Sequence, residues 1–514
     1  MADPCFPALA PPGGAGSFRF WEKDPARVAL EIVEGRPFQV FDTERGRFDA
    51  MLDFMLRSGL WAAATGMRPS HLKKDNGIRY PLLHGVECLR EMAGRDTPAH
   101  CGPLLKDPYL LERIGFTAEK IHRCLAEDRT VIDPESLLNP LGRFTEKDLE
   151  AGFLQHLEVI RHKRWLRGGM YAVEGPDSVI PHGPGYEGAR RISDGSYGYK
   201  LLVLLNIQSD CELIVGYVLG GLQESEITML RRLLARLQHT MGPLREWLKI
   251  LLLDRGYWGT DLFCELQQDY GIDFVSRVRD EKLDLNGHIQ RQLEETDRSW
   301  TEWEEQRQFA GRKEMQKVRI TALRPITWIS DETPAHRQIA VHIVGAIQSH
   351  LEGSPILDKH GKDISRTDYI TSLAPGRYGV KVRSFYRGRW GIENQGFRSL
   401  SQTWDIDRPA GHSYAAVLAL LVFVFLIYNA QHFFEKQSRH HPDYDEQLRQ
   451  MRSYGPAIGL AGATIIAVTV SGFCCALSSR RMLELQKRRL LNLMQPGLAA
   501  GKPIQEVMRE LDHT

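Results

Sequence analysis

The chain has 514 residues, 42% of them hydrophobic and 25% charged, a globular composition that excludes wholesale disorder. Its 66 Lys and Arg against 65 Asp and Glu give a net charge of +1, so any basic surface for a polyanion has to be local. The eight cysteines contain no Cys-x-x-Cys pair, which argues against a zinc ribbon, and are sparse for 514 residues, which argues against a disulfide framework and fits a reducing compartment.

Residues 1–18 are rich in Pro and Gly, with neither a basic start nor a sustained apolar core, and are expected to be a flexible leader. Residues 19–168 are expected to form a helical N-terminal domain. Phe48–Leu60, Tyr80–Met92, Thr117–Glu127 and Thr145–Trp165 carry apolar residues three and four apart. Thr145 and Asp148 have the spacing of a capping box.

After Gly169 the period changes. Met170–Val173, Lys200–Ile207, Leu213–Leu219, Ile250–Leu253 and Ile272–Val278 are expected strands. Glu224–Gln238 and Thr260–Tyr270 are expected helices, the second stopped by Gly271. The first three strands suit an antiparallel meander, and the β-α-β units that follow require parallel neighbours. The expected fold class is therefore α/β with a mixed sheet, its first part spanning 169–280.

Residues 281–385 are polar, with strand-like pieces at Val318–Leu323, Gln338–Ile347 and Tyr369–Leu373, and are expected to be a β-rich insertion. Its Trp300, Trp303 and Trp328 suit an insertion core. The chain is expected to return to helix at about Gly391, within a segment 386–440 that rejoins the sheet domain. Ala415–Tyr428 is an unbroken apolar run, shorter than the about 20 residues of a spanning helix; a buried core helix and no membrane contact are expected. In the C-terminal segment 441–514, ATIIAVTV reads as a buried strand, and Arg480–Met494 as a basic helix facing DNA or a partner.

Two acids stand out. Asp254 closes an apolar strand, where ligand chemistry gathers in α/β sheets. Glu393 would share a helix face with Phe397, Leu400 and Trp404. Each could be an ordinary turn cap or ion-pair partner, or the two could ligate a metal together.

Asp254-Arg255-Gly256-Tyr257 after a strand, then Tyr386-x2-Arg389-x3-Glu393, resembles the DDE transposases of bacterial insertion sequences, in the group with a Tyr-Arg-Glu-Lys signature. The resemblance covers about 170–434. It implies an RNase H-like fold and three metal-binding carboxylates: one on the first strand, one ending the fourth, one on a later helix. The second and third carry over to Asp254 and Glu393. For the first, Glu174-Gly175 stands where the family has Asp-Gly, with Asp177 and Asp194 as alternatives. The signature lysine is replaced by Leu400, leaving Arg398 as the nearest cation.

The resemblance further implies Mg²⁺ or Mn²⁺, as a pair of ions, and double-stranded DNA as partner, both element terminal repeats and target. It also implies a homodimer when the ends are synapsed, the helical N-terminal domain as a DNA-end binder, and a cytoplasmic, nucleoid-associated location. The expected reaction is phosphodiester hydrolysis at the element end, followed by strand transfer from the freed 3′-hydroxyl. The alternative is a decayed or repurposed transposase that grips DNA without cutting. Between Arg377 and Leu400 lie six cations, Arg377, Lys381, Arg383, Arg387, Arg389 and Arg398, against the single acid Glu393. This local patch is where phosphate is expected, with Tyr386, Arg387, Arg389 and Arg398 in contact.

Overall fold

The computed structural model describes residues 22–36, 38–43, 45–72, 77–94, 97–127, 129–175, 177–180, 185–191, 195, 197–208, 212–279, 283–295, 299–309, 312–329, 337–358, 360–392, 400–401, 404, 406, 410–438, 464–469 and 473–512. The chain divides into two compact units, one of residues 1–159 with 409–514 and one of residues 160–408.

The first unit is mainly helical. Helices Tyr80–Met92, Ala118–Ala126 and Glu146–His162 lie close to their expected spans. The capping box at the start of the third is real: Asp148 N–H donates to Thr145 Oγ1 at 3.2 Å, and Thr145 N–H donates to Asp148 Oδ2 at 3.0 Å. The apolar run of residues 415–428 lies inside a longer helix, Tyr414–Ser438, of 25 residues. By length and composition this helix could cross a membrane, but 94% of its apolar window is buried. Strand Thr464–Thr469 pairs with Phe38–Thr43 on one side and Phe473–Ser478 on the other. Neither partner was expected from the sequence; the first pairs across some 420 positions and leaves no local signal. The leader lies outside the described residues.

The second unit is built on one large mixed sheet. Its central strands are Met170–Glu174, Tyr197–Asn206, Leu213–Gly221, Ile250–Leu252 and Asp273–Arg277. The first pairs antiparallel with the second and parallel with the fourth; the second pairs antiparallel with the third; the fourth pairs parallel with the fifth. Taking these five in chain order, the sheet runs 3-2-1-4-5. Leu201–Leu205 and Leu213–Val215 are fully buried, as expected of central strands covered on both faces. Helix Glu226–Met241 buries Met229, Leu230, Leu233, Leu234 and Leu237.

The sheet continues into the inserted segment through Arg366–Thr371, which pairs antiparallel with Asp273–Arg277. Beyond it lie Gln338–His350, Arg312–Ala322 and Thr301–Phe309, all antiparallel. The three tryptophans are engaged within this unit. Trp328 packs edge-on against Trp258 at 5.3 Å, Trp300 carries Arg319, and Trp303 carries Arg383.

Two expected elements need correction. The helix of Thr260–Tyr270 is α-helical only to Cys264 and continues as a wider π turn over Glu265–Asp269. The helix expected from about Gly391 instead spans Pro375–Ile392. Its inward stripe is Val382, Arg383, Tyr386 and Arg389, all nearly buried. Two of those four positions are arginines, so an apolar-period test does not find the face.

Candidate catalytic acid site

The parallel register between two strands sets the site. Met170 aligns with Ile250, Tyr171 with Leu251 and Ala172 with Leu252. Two residues further along both chains, Glu174 is level with Asp254. Adjacent strands lie about 4.8 Å apart, so two carboxylates leave the sheet side by side at its carboxyl edge. Each follows an apolar run buried in the core, Tyr171–Val173 and Leu251–Leu253. Leu253 N–H donates to Val275 O at 2.9 Å, and Ser276 Oγ donates to the Asp254 carbonyl at 3.4 Å. The sheet therefore holds the backbone until it delivers the acid.

Helix Pro375–Ile392 places Arg389 between the two acids. Arg389 Nη1 donates to Glu174 Oε2 at 2.9 Å, and Nη2 lies 3.3 Å from Asp254 Oδ1. The guanidinium is 2% exposed, against 19% for the Glu174 side chain and 37% for that of Asp254. One turn earlier, Tyr386 donates its hydroxyl to Asp254 Oδ1 at 3.4 Å, and its ring lies 5.2 Å from the Arg389 guanidinium. Burial pushes the Tyr386 phenol up to about 12, with Arg389 opposing and Asp254 adding to the rise. The Tyr257 phenol is also held well above its ordinary range, first by burial and then by Glu226, Glu174 and Asp254.

Of the expected site residues, the fold brings together Glu174, Asp254, Tyr386 and Arg389. Asp177 begins a short strand, Asp177–Ile180, on the edge where Glu174 ends. Glu174 aligns with Val203 and Asp177 with Lys200, so its backbone lies about 10 Å further out. Asp194, Glu393 and Arg398 lie outside the described residues. Leu400, at the position of the signature lysine, is fully buried.

The basic patch is less free than its sequence window implies. Glu305, on the inserted strand Thr301–Phe309, accepts from Arg383 Nη2 at 2.7 Å and from Arg387 Nη1 at 2.9 Å. Burial raises the Glu305 carboxyl, but the hydrogen bond and charge of Arg383 and the charge of Arg387 outweigh it and hold it below its usual range. Arg387 and Arg389, both expected on phosphate, are thus held by carboxylates here. A count over neighbouring residues misses an acid 82 positions upstream.

Glu226, Lys200 and Glu305 were not expected at or near the site. Glu226 is the first residue of an amphipathic helix, and at that position an acid reads as ordinary dipole complementation. Among the described residues no three Asp, Glu, His or Cys side chains converge closely enough to chelate a metal outright. The donor set nevertheless suits a hard cation: two carboxylates from adjacent strand ends already share a positive group between them.

The mixed α/β sheet thus carries paired acids at the carboxyl ends of neighbouring parallel strands, the edge where ligand chemistry gathers in such sheets. Residues 171–430 match the transposase DDE domain family, just over half of the chain, and the chain belongs to that family. The solved piggyBac transposase synaptic complex with hairpin DNA is similar over 82% of this chain and 85% of its own, at 12% identity and a TM-score of 0.34. No curated protein matches the chain.

Proposed function

We propose that the protein is a DNA transposase of the insertion-sequence type, with an RNase H-like catalytic core and an acid centre of Glu174, Asp254 and Glu393. The observation that carries this reading is the level placement of Glu174 and Asp254 with one buried cation between them. The sheet order 3-2-1-4-5 supports the RNase H-like assignment. Glu393 follows directly on the helix that carries Tyr386 and Arg389, which favours it as the third acid.

A divalent cation, Mg²⁺ or Mn²⁺, would be held by these carboxylates and would supply charge stabilisation and an activated oxygen nucleophile. The protein's own groups position and exclude. The buried apolar strands fix the two acids relative to each other. Tyr386 orients the Asp254 carboxylate through its hydroxyl. Arg389 neutralises the acid pair in the free protein and is one helical turn from Tyr386, within reach of a phosphate at the same edge. In the first reaction, water oxygen bonds to phosphorus, the P–O3′ bond breaks, and the 3′ oxygen leaves with a proton. In the second, that 3′-hydroxyl attacks a target phosphodiester, so one diester bond forms as one breaks. Element ends and target DNA are the partners, and a homodimer brings two ends together.

The test is strand cleavage of duplexes carrying the flanking terminal repeats, with Mg²⁺ or Mn²⁺. Asp254→Asn and Glu393→Gln are each expected to reduce cleavage at least about a thousandfold, roughly 4 kcal/mol of barrier, while DNA binding persists. Full cleavage in both variants would overturn the assignment. The second reading is a protein that binds DNA without cutting. The buried Leu400 in place of the lysine favours it, and absent cleavage by the native chain with retained binding to the repeats would support it.

A further inference from the structure

Seven of the fourteen large hydrophobic side chains exposed among the described residues lie within Leu483–Met508. Single exposed leucines are ordinary, but a group of them marks an interaction surface. These belong to helices Ser479–Ala499 and Ile504–Asp512 of the first unit.

The longer helix already has a buried face. Met482 and Leu485 pack in a core cluster with Val28, Ile32, Cys475 and Leu477. On the same side Arg489 donates from Nη2 to the Gly35 carbonyl at 3.4 Å. At about 100° of turn per residue, Leu483, Leu490, Leu491 and Leu498 fall within about 100° of arc, roughly opposite that face. All four are exposed, Leu483 by 70%. A surface helix normally turns charged and polar residues outward there, and a second apolar stripe asks for a partner. Lys487, on the same arc, can lay its stem along the leucines and keep its ammonium in water. The shorter helix folds back beside the longer one: a Cβ added at Gly497 would stand 2.8 Å from Val507 Cγ2. Its Ile504 and Met508, one turn apart, are exposed as well.

The spacing of the leucines identifies the partner. Leu483, Leu490, Leu491 and Leu498 are symmetric about the midpoint between Leu490 and Leu491, at intervals of seven, one and seven. A two-fold axis crossing the helix at that midpoint sets a second copy antiparallel to the first. Each Leu483 then comes level with the partner subunit's Leu498, and Leu490 and Leu491 meet their own counterparts at the axis. An interface between identical surfaces requires such self-complementarity. A DNA backbone, by contrast, is met by cations and amides and not by leucines.

We propose that helix Ser479–Ala499 is a dimerisation surface, pairing antiparallel with the same helix of a second copy through Leu483, Leu490, Leu491 and Leu498. It gives the proposed homodimer its contact. The association needs neither DNA nor metal, so it is tested apart from the catalytic reading.

The experiment is sedimentation equilibrium of the full chain without DNA. The native chain is expected to dimerise. The double variant Leu490→Glu, Leu491→Glu is expected to weaken the dimer about a hundredfold or more, because each substitution counts twice at a two-fold axis. Leu351→Glu, at an exposed leucine of the sheet unit, is expected to leave the dimer unchanged. Melting temperatures establish folding. Should the double variant not fold, Leu490→Cys decides: a short bis-maleimide is expected to link two copies of it far more efficiently than two native chains, and equal linkage overturns the proposal. A monomeric native chain, or a dimer left intact by the leucine substitutions, also overturns it. Monomers that bind vesicles of phosphatidylcholine and phosphatidylserine through these leucines would make the face a lipid surface and overturn it equally.

Discussion

Two buried arginines, one in each compact unit, show how the same ion-pair chemistry serves different ends. Arg90 is 4% exposed and sits between Glu87 and Glu91, themselves 2% and 6% exposed. Its partners are three residues before it and one after, on the same helix, and its Nε lies 3.0 Å from both Glu87 oxygens. Arg389 is buried as deeply, but its partners come from strand ends 215 and 135 positions earlier, and their carboxylates remain partly open to solvent. The Arg90 triad is local and closed on every side. The Arg389 bridge has one wet side. Depth of burial is similar in the two, so what separates them is whether the acids keep an open face.

Replacing each arginine with methionine removes the guanidinium and keeps an apolar stem. Arg90→Met leaves two acids deep in the helical unit and is expected to destabilise it by about 3–5 kcal/mol. Arg389→Met leaves acids that water can reach and is expected to destabilise by about 1–2 kcal/mol. Urea unfolding midpoints of the two variants measure the difference; equal losses would mean that the Arg389 bridge is as structural as the Arg90 triad.

The helical unit is expected to be acid-sensitive through two buried histidines. Burial lowers His84 to about 4, with its hydrogen bond to the Thr65 carbonyl opposing, and burial alone lowers His156 to about 3. Both ring nitrogens of His156 lack a partner among the described residues. The unfolded chain takes up these protons near pH 6.5 and the folded chain refuses them. Their contribution is thus complete above pH about 6.5 and declines as pH falls towards 4, by about 1.4 kcal/mol per pH unit for each histidine. His156→Leu should roughly halve the slope of urea stability against pH across that window. A slope unchanged by the substitution would assign the acid sensitivity to other groups.

A smaller effect is expected at the basic patch of the sheet unit. Glu305 neutralises Arg383 and Arg387, so Glu305→Gln is expected to tighten duplex binding. It should also steepen the dependence of log K on log salt by about 0.9 for each arginine released to phosphate. An unaltered slope would show that these arginines do not meet DNA.

Much of the sheet unit was legible because its strands are short apolar runs with breaks between them, and Asp254 was legible because it terminates one. The expected site residues Tyr386 and Arg389 do meet Asp254, though as its hydrogen-bond and ion-pair partners. What stayed hidden depended on distant pairing. The level placement of Glu174 and Asp254 needs a parallel register that no local pattern encodes. The helix from Pro375 conceals its inner face because Arg383 and Arg389 occupy it. Glu305 looks like a surface acid until the fold brings a helix against it.

If Arg389 stands where a divalent cation binds, Mn²⁺ affinity measured without DNA must differ between the native protein and Arg389→Met. With the competing guanidinium gone, the Glu174–Asp254 pair is expected to bind Mn²⁺ about tenfold more tightly, a gain of about 1.4 kcal/mol. Equal affinities in the two proteins, or no Mn²⁺ binding by either, would contradict it and make the bridge a structural ion pair.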